Sequence, residues 1–208
     1  AGLQSVMYAV SNVFIQTNIN AFGTDVVAGW TAYGKIDSLF WMVMDAFGIS
    51  ITTFTGQNIG ARKLDRVRQG IRTCSLMAFG FSFALSGLLF VFGDQIVRLF
   101  NSDAGVVAAA GEMMRCAYPY FFTYVLICVL GGAMRGAGDS LIPTIMTLTG
   151  VCMLRVFWVA VVVSAHHELN VLLLSYPITW SVTSGMFLIY YLRGRWLKRC
   201  IALQNAGN

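Results

Sequence analysis

Long apolar stretches recur along the 208-residue chain, separated by short polar or glycine-containing segments. Six of them are about 20 residues or longer, which is the length that an α-helix needs to cross a membrane. They are continuous rather than alternating, and far longer than the ~10-residue strands of a membrane β-barrel. The pattern therefore predicts an all-α membrane protein with six transmembrane helices. The predicted spans are residues 3–22, 26–55, 70–92, 106–134, 141–164 and 171–192.

The composition also departs from that of soluble proteins. Hydrophobic residues make up 57% of the chain and charged residues only 11%, whereas soluble domains carry about 25% charged residues. The net charge of +5 would suit nucleic-acid binding by its sum alone, but most basic residues lie in clusters between or after the apolar stretches. Such a distribution is typical of residues that orient a protein in a membrane. We therefore expect a lipid bilayer as partner, and no nucleic acid.

The basic residues lie almost entirely on one side of the predicted membrane. The side that holds residues 56–72, 135–140 and 193–208 has ten Arg and Lys residues, and the other side has only Arg98. Because basic residues accumulate in cytoplasmic loops, both ends of the chain are predicted to be cytoplasmic in a multi-pass protein of the cell (plasma or inner) membrane. Residues 193–208 are then a basic cytoplasmic tail. The ten residues are Arg62, Lys63, Arg66, Arg68, Arg72, Arg135, Arg193, Arg195, Lys198 and Arg199.

The start of the chain is typical of the interior of a longer protein. The first residue is Ala1 rather than Met, and an apolar helix is predicted from about residue 3 without the pattern of a signal peptide. We therefore expect a fragment, with further spans before it in the whole protein.

The first predicted span carries a stripe of amide side chains. Asn12, Gln16 and Asn20 follow one another at intervals of four residues and therefore lie on one face of a helix. A polar stripe at membrane depth either bonds to a neighbouring helix or lines a water-filled cavity. Both interpretations stay open from sequence alone, and Asn12 and Gln16 are candidate residues of a substrate or ion pathway.

The second predicted span carries three charged residues, Lys35, Asp37 and Asp45. Asp37 and Asp45 share a face with Trp41, whereas Lys35 points elsewhere and is predicted to pair with another helix. A charge at the bilayer centre costs about 2.5–3.5 kcal/mol on insertion scales, so charged residues within spans are candidates for function. The alternative is a buried structural ion pair. We favour a substrate cavity or ion pathway that includes all three residues.

Later spans carry three further features: a pair of opposite charges, a proline and a single arginine. Glu112 and Arg115 are three residues apart and are expected to pair with each other near the outer end of the fourth span. Pro119 removes a backbone hydrogen bond and predicts a kink in that span. Arg155 lies inside the fifth span, where it needs a partner, and we expect it to have a structural role.

Two segments between spans resemble catalytic or phosphate-binding motifs. The glycines of Gly56-Gln57-Asn58-Ile59-Gly60 are not followed by the Lys and Ser/Thr of a phosphate-binding loop. They are instead predicted to let the chain turn, with the basic residues after them in a short helix at the lipid headgroups. Gly136-Ala137-Gly138-Asp139 resembles a motif of intramembrane aspartyl proteases, whose chemistry needs a second carboxylate. Those enzymes supply it from a Tyr-Asp pair, and no Tyr-Asp pair occurs in this sequence. We therefore expect no enzyme.

The same segments carry a resemblance to a known family. Gly56-Gln57-Asn58-Ile59-Gly60-Ala61 with the basic residues after it resembles a sequence of the MATE (multidrug and toxic compound extrusion) transporters. Met134-Arg135-Gly136-Ala137-Gly138-Asp139-Ser140 with Pro143, and Arg155-Val156 in the next span, resemble the same family in order and spacing. The resemblance extends over essentially the whole chain and matches the second six-helix lobe of these transporters.

The resemblance implies that residues 1–192 are the C-terminal six-helix lobe of a twelve-helix antiporter, with the N-terminal lobe as its partner. Such transporters export small cationic or amphiphilic compounds in exchange for Na⁺ or H⁺, by alternating access between two lobes, and need no other cofactor. Some members hold a cation with an acidic residue in the first helix of this lobe, but the first span here has no Asp or Glu. The coupling ion is then expected at Asp37 or Asp45, or in the other lobe.

Two other functions stay open from sequence alone. The first is a lipid-linked saccharide flippase of the same superfamily, which would need a basic cavity large enough for a pyrophosphate. The second is a membrane assembly subunit that transports nothing and uses its polar stripes to bind neighbouring helices.

Overall fold

The computed structural model describes residues 2–166, 168–194 and 196, and every regular element in this part of the chain is a helix. The prediction of an all-α protein is therefore confirmed. Most of the predicted basic tail, including Arg195, Lys198 and Arg199, lies outside the described residues. The helices are α1 (Gly2–Asn20), α2 (Thr24–Gly60), α3 (Leu64–Arg98), α4 (Ala104–Ala117), α5 (Phe122–Gly136), α6 (Leu141–Val163) and α7 (Leu169–Leu192).

Most of these helices have the length and composition of membrane spans. Helices α2, α3, α6 and α7 are each long and apolar enough to cross a bilayer, and α4 and α5 together form a fifth, bent span. Helix α1 has 19 residues, but it is not among the described helices that reach this apolarity. Its amide stripe accounts for the difference, and the crossing of α1 stays a prediction.

The bend between α4 and α5 lies at the predicted kink. Pro119 is the middle residue of a 3₁₀ turn, Tyr118–Tyr120, and the helices on either side of it meet at 54°. Pro119 has no N–H to donate, and its ring disfavours a regular α-helical turn. The neighbouring Tyr118 and Phe121 are fully buried and anchor the bend in the core.

Helix α2 is the centre of the bundle, since it packs against α1, α3, α4 and α5. Its approach to α5 is close, because a Cβ on Gly132 would lie 2.7 Å from the carbonyl oxygen of Gly48. Across the same contact Thr52 Oγ1 donates a hydrogen bond of 2.9 Å to the carbonyl of Gly132. Small residues allow such close packing between membrane helices, and the contact fixes α5 against α2.

Helices α2 and α3 run further than predicted and leave only residues 61–63 between them. Gly56 and Gly60 therefore lie in the last turns of α2, and the prediction that they form the turn is wrong. Gly56 serves packing instead, since a Cβ there would lie 3.3 Å from the carbonyl oxygen of Gly136 on α5. The basic residues that follow belong to α3, which begins at Leu64, rather than to a separate short helix.

The turn itself uses an arginine in the left-handed conformation. Arg62 has a φ of 57°, and the N–H of Lys63 donates to the carbonyl of Asn58 at 2.8 Å, which satisfies a carbonyl at the end of α2. Asn58 Nδ2 also donates to the carbonyl of Phe54 at 2.8 Å, and Gln57 is exposed. The residues of this motif therefore end a helix.

Glu112 and Arg115 do not pair with each other in the described part of the chain. Arg115 Nη1 lies 3.3 Å from Asp94 Oδ1 on α3, and Glu112 Oε1 accepts a hydrogen bond of 2.8 Å from Asn170 Nδ2. The predicted local pair is wrong because each side chain reaches a neighbouring helix. The two contacts connect α4 to α3 and to α7.

Candidate functional site

A cavity of about 470 Å³ lies among α1, α2, α5, α6 and α7, and we call it the Asp37 cavity. Its polar lining includes Asn12, Gln16, Asp37 and Arg155, and most of the remaining lining is aromatic. Three predicted pathway residues, Asn12, Gln16 and Asp37, therefore come together here from two different helices.

One carboxylate oxygen of Asp37 accepts a hydrogen bond, and the other accepts none from the described residues. Trp41 Nε1 donates a hydrogen bond of 2.5 Å to Asp37 Oδ2, because the two residues are one helical turn apart. Asp37 Oδ1 is buried and has no hydrogen-bond partner among the described residues, where the ion pairs involve other carboxylates. A buried carboxylate without a cation is costly, so this site favours a cationic group. The alternative, a structural ion pair, is not formed by Asp37 within the described part of the chain.

Two of the three residues of the amide stripe of α1 line the same cavity. Gln16 Nε2 donates a hydrogen bond of 2.9 Å to Asn20 Oδ1, so the stripe bonds along its own helix. Asn12 and Gln16 line the cavity and are exposed in this chain. These positions favour the interpretation that the stripe lines a cavity over the interpretation that it bonds to a neighbouring helix.

Aromatic rings form a continuous wall beside Asp37. Trp41 lies edge-to-face against Trp180, with ring centroids 5.6 Å apart, and Trp180 lies edge-to-face against Tyr176 at 5.5 Å. Because the rings pack against one another, their faces and edges have fixed positions. Such a wall can hold a flat apolar body and attract a cation over a ring face.

Arg155 is the residue of this cavity to which the sequence assigned only a structural role. It is 3% exposed, its Nη2 lies 3.5 Å from Thr179 Oγ1, and its guanidinium carbon lies 4.1 Å from the ring centroid of Tyr176. In the sequence, Arg155 stood out only because it is a charged residue inside an apolar span. The sequence could not indicate that α6 brings this residue to a cavity shared with α1 and α2.

A second cavity, of about 820 Å³, lies among α1, α2, α5 and α6, and we call it the Arg135 cavity. Asp45 lines it and is exposed, so the two aspartates that were predicted to share one face of α2 line different cavities. Tyr8 and Tyr124 line both cavities. The two cavities are therefore neighbours with these two tyrosines at their boundary.

Lys35 does not line the Asp37 cavity. It is exposed, and its Nζ lies 5.9 Å from the ring centroid of Phe100, just beyond the end of α3. Lys35 was predicted to pair with another helix, and the contact that the structure shows is instead with an aromatic ring just beyond a helix. Because Lys35 and Asp37 are two residues apart on a helix, they lie on different faces, and the geometry does not support Lys35 as a pathway residue.

The second motif, residues 136–139, ends α5. Gly138 has a φ of 87°, a conformation that favours glycine, and the N–H of Asp139 donates to the carbonyl of Met134 at 3.0 Å. Asp139 is 3% exposed, and its Oδ2 accepts a hydrogen bond of 2.7 Å from the hydroxyl of Tyr190. This carboxylate therefore connects the turn to α7.

Known proteins similar to this chain include bacterial multidrug resistance proteins. The "Probable multidrug resistance protein YoeA" of Bacillus subtilis (strain 168) is 25% identical over 204 residues, which are 97% of this chain and 43% of that protein. The "Probable multidrug resistance protein NorM" of Thermotoga maritima is 24% identical over 202 residues, which are 93% of this chain and 43% of that protein. The chain thus spans less than half the length of these relatives.

Solved structures show the same fold. A MOP superfamily transporter from Pyrococcus furiosus superposes with a TM-score of 0.83 at 17% identity, over 97% of this chain and 45% of that one. An outward-facing multidrug resistance MATE family transporter superposes with a TM-score of 0.81 at 18% identity, over 98% of this chain and 45% of that one. The described helices thus have the fold of one lobe of these transporters. Because the family model for MatE matches residues 1–161, well over half of the chain, the chain belongs to the MATE family of multi-pass membrane transporters.

Proposed function

We propose that this chain is the C-terminal lobe of a secondary antiporter that exports cationic or amphiphilic compounds across the cell membrane in exchange for Na⁺ or H⁺. The relatives carry the names of multidrug resistance proteins. The observation that carries the proposal is the buried Oδ1 of Asp37, which has no hydrogen-bond partner in the described part of the chain and lies in a mainly aromatic cavity.

Asp37 and the aromatic wall together suit an organic cation. The carboxylate neutralises the charge of the compound, and its apolar body replaces water against Trp41 and Trp180. Few directional hydrogen bonds are needed for such binding. A cavity of this kind therefore tolerates compounds of different shape, as multidrug export requires.

Asp37 is also our first candidate for the coupling site. Na⁺ or H⁺ neutralises the buried carboxylate when no substrate is bound. Because one carboxylate is neutralised by one cation at a time, the ion and the substrate compete for Asp37, and this competition is the minimum that an exchange mechanism needs. Asp45, in the Arg135 cavity, is the second candidate.

The partner of this lobe is the N-terminal lobe of the same transporter. Asn12 and Gln16 are exposed in this chain, and we propose that they face the substrate between the two lobes. A change in the contact between the lobes then opens the Asp37 cavity to either side of the membrane in turn. In our proposed orientation, residues 61–63 and the end of α5 are cytoplasmic.

The test uses the full-length transporter in proteoliposomes with an imposed Na⁺ or H⁺ gradient and ethidium as the cationic probe. Asp37→Asn removes the charge with little change in volume, and we expect gradient-driven ethidium transport to fall at least about tenfold, which is a loss of about 1.4 kcal/mol or more. Asp45→Asn tests the second candidate in the same assay.

Glu168→Gln is the matched control. Glu168 is exposed just before α7, so its neutralisation removes one acidic charge from the same lobe without touching the cavity. Transport by this variant should equal that of the unmodified protein. Unchanged transport and unchanged ion dependence in both Asp37→Asn and Asp45→Asn would overturn the roles proposed for the two aspartates.

A further inference from the structure

A groove of about 470 Å³ lies between α2 and α3, and we call it the α2–α3 groove. Each helix contributes residues at intervals of three and four positions, so each helix turns one face to the groove. The residues that set its walls include Phe47, Ile51 and Phe54 of α2 and Arg66, Gly70 and Met77 of α3.

The α2–α3 groove is separate from the two cavities described above. It shares no lining residue with them, and no described residue of α3 lines the Asp37 cavity or the Arg135 cavity. Helix α3 packs against α2, α4 and α5, whereas the Asp37 cavity is bordered by α1, α6 and α7 as well. The groove therefore lies outside the substrate pathway that we propose.

The groove runs from the level of the lipid headgroups towards the middle of the membrane. Arg66 lies in the first turn of α3, beside the basic turn, and Met77 follows eleven residues later. At 1.5 Å per residue this distance is about 16 Å, which is about half of a ~30 Å hydrocarbon core. Met77 is 59% exposed, and an exposed apolar side chain at this depth contacts lipid chains.

Packing between the two helices keeps the shape of the groove. A Cβ on Gly70 would overlap the ring of Phe54, so the glycine leaves the space in which this ring lies against α3. Deeper in the groove, Cys74 Sγ lies 3.9 Å from the carbonyl oxygen of Phe47. The apolar wall is therefore in place before any ligand binds.

Polar side chains in the upper part of the groove have donors to spare. Arg68, two residues beyond Arg66, lies 3.9 Å from Asp65, but Arg66 forms no ion pair with a described residue. Thr53 on α2 donates its hydroxyl to its own helix, at the carbonyl of Ile49, whereas Thr73 makes no such bond within the described part of the chain. A hydroxyl that faces hydrocarbon needs an acceptor.

We infer that the α2–α3 groove binds an anionic glycerophospholipid. The phosphate lies at the guanidinium group of Arg66, the ester carbonyls accept hydrogen bonds from Gln69 and Thr73, and one acyl chain lies along Phe54 and Phe47. A guanidinium group presents parallel donors that match the oxygens of a phosphate. The inference does not depend on the proposed export function, because it concerns a different face of the lobe.

The charge around the groove favours an anionic lipid over a zwitterionic one. Residues 61–72 contain five basic residues and one acidic residue, and of the five basic residues Arg66 lines the groove. In our proposed orientation this end of α3 lies in the cytoplasmic leaflet, where anionic lipids attract basic residues. The ammonium group of a zwitterionic headgroup would be repelled by the same charges.

The experiment uses phosphatidylglycerol that carries a diazirine halfway along one acyl chain. It is added to the purified full-length transporter in detergent and irradiated, and the labelled residues are located by mass spectrometry. We expect labels within residues 47–54 and 70–77. Unlabelled phosphatidylglycerol should prevent this labelling at a concentration at least about tenfold lower than phosphatidylcholine with the same acyl chains, because a hydrogen-bonded charge pair is made by the first lipid alone. Inorganic phosphate should not prevent it.

Arg66→Gln tests the position of the headgroup. Because a hydrogen bond to a charged group is lost, we expect the affinity for phosphatidylglycerol to fall about tenfold, while the affinity for phosphatidylcholine does not fall. Arg68→Gln is the matched control, since it removes the same charge from a residue that does not line the groove. It should change neither affinity.

Thr73→Val tests the position of the esters. It removes the hydroxyl and keeps the shape of the side chain. Because both lipids have the same ester groups, we expect both affinities to fall by the same factor, about two- to tenfold.

Four results would overturn the inference. Labelling elsewhere in the protein but not in the groove would show that another protein surface covers it. Equal competition by the two lipids, or equal losses in Arg66→Gln and Arg68→Gln, would indicate a general attraction of lipid to a basic surface. Competition by inorganic phosphate as effective as that by phosphatidylglycerol would indicate a site for the free ion. Unchanged affinities in Arg66→Gln or in Thr73→Val would contradict the position of the lipid.

Discussion

The indole of Trp41 holds Asp37 by a hydrogen bond of 2.5 Å to Oδ2, one helical turn away on α2. The other oxygen, Oδ1, is buried and has no hydrogen-bond partner among the residues that the structure describes. Trp41 also belongs to the aromatic wall of the same cavity, so one side chain orients the charged group and forms part of the apolar surface beside it.

Trp41→Phe should therefore weaken cation binding without emptying the cavity. The phenyl ring keeps much of the apolar surface, but Asp37 loses the donor that orients it. A hydrogen bond to a charged group contributes about 1.5–3 kcal/mol, so we expect the affinity for ethidium to fall about tenfold or more. Fluorescence titration of the purified full-length transporter measures the change.

Trp158→Phe is the matched control for this prediction. Trp158 Nε1 donates a hydrogen bond of 2.9 Å to the carbonyl of Val171, and Trp158 is not part of the cavity lining. The substitution therefore removes an indole hydrogen bond from the same lobe without touching the cavity. Equal losses of ethidium affinity in Trp158→Phe and Trp41→Phe would contradict the orienting role of Trp41.

Gly132→Ala should destabilise the lobe through the contact between α2 and α5. The new methyl group would lie 2.7 Å from the carbonyl oxygen of Gly48 and 2.7 Å from Cγ2 of Ile51, so the two helices must move apart. Overpacking of this kind costs about 1–3 kcal/mol. Thermal unfolding of the detergent-solubilised transporter should occur several degrees lower, whereas Gly87→Ala, with no atom within 4 Å of the new methyl group, should unfold at or above the original temperature.

The hydrophobic pattern predicted the helices well because the length and apolarity of a membrane helix are set by the bilayer. It located the kink at Pro119, because a proline disturbs the helix through its own missing N–H and its own ring. It placed the end of α2 too early because helical hydrogen bonding continues to Gly60, beyond the apolar stretch. The π-helical stretches Leu148–Met153 and Val159–Val163 within α6 had no signal in the pattern.

The sequence predicted part of the candidate site. Asn12, Gln16 and Asp37 were found because polar side chains at membrane depth stand out in an apolar span. Lys35 stood out equally, but the sequence does not determine which face of α2 meets its neighbours. Arg155 was visible as a charge. Its place in the lining of the Asp37 cavity depends on the packing of α6 and α7 against α1 and α2, which a single sequence does not encode locally.

Tyr190→Phe should lower stability while leaving substrate recognition intact. The substitution removes the hydroxyl that donates to the buried carboxylate of Asp139 at 2.7 Å, and leaving a charged acceptor less satisfied costs about 1.5–3 kcal/mol. Neither residue lines the Asp37 cavity. We expect thermal unfolding several degrees lower with unchanged ethidium affinity in the folded fraction, and a selective loss of affinity at unchanged stability would instead indicate a role in binding.

The basic residues around the turn between α2 and α3 should matter for orientation rather than for binding. Arg62, Lys63, Arg66 and Arg68 are exposed, none of them lines the Asp37 cavity, and each basic residue near an anionic leaflet contributes about 1 kcal/mol. Their joint replacement by Gln should therefore reduce the fraction of molecules whose C-terminus is cytoplasmic, as measured with C-terminal fluorescent-protein and alkaline-phosphatase fusions. Arg98→Gln, which removes a basic residue from the opposite side, should leave the orientation unchanged.

Correctly inserted molecules of the fourfold variant should bind ethidium normally, because the cavity is intact. Normal topology together with lost binding would show instead that this turn takes part in substrate recognition.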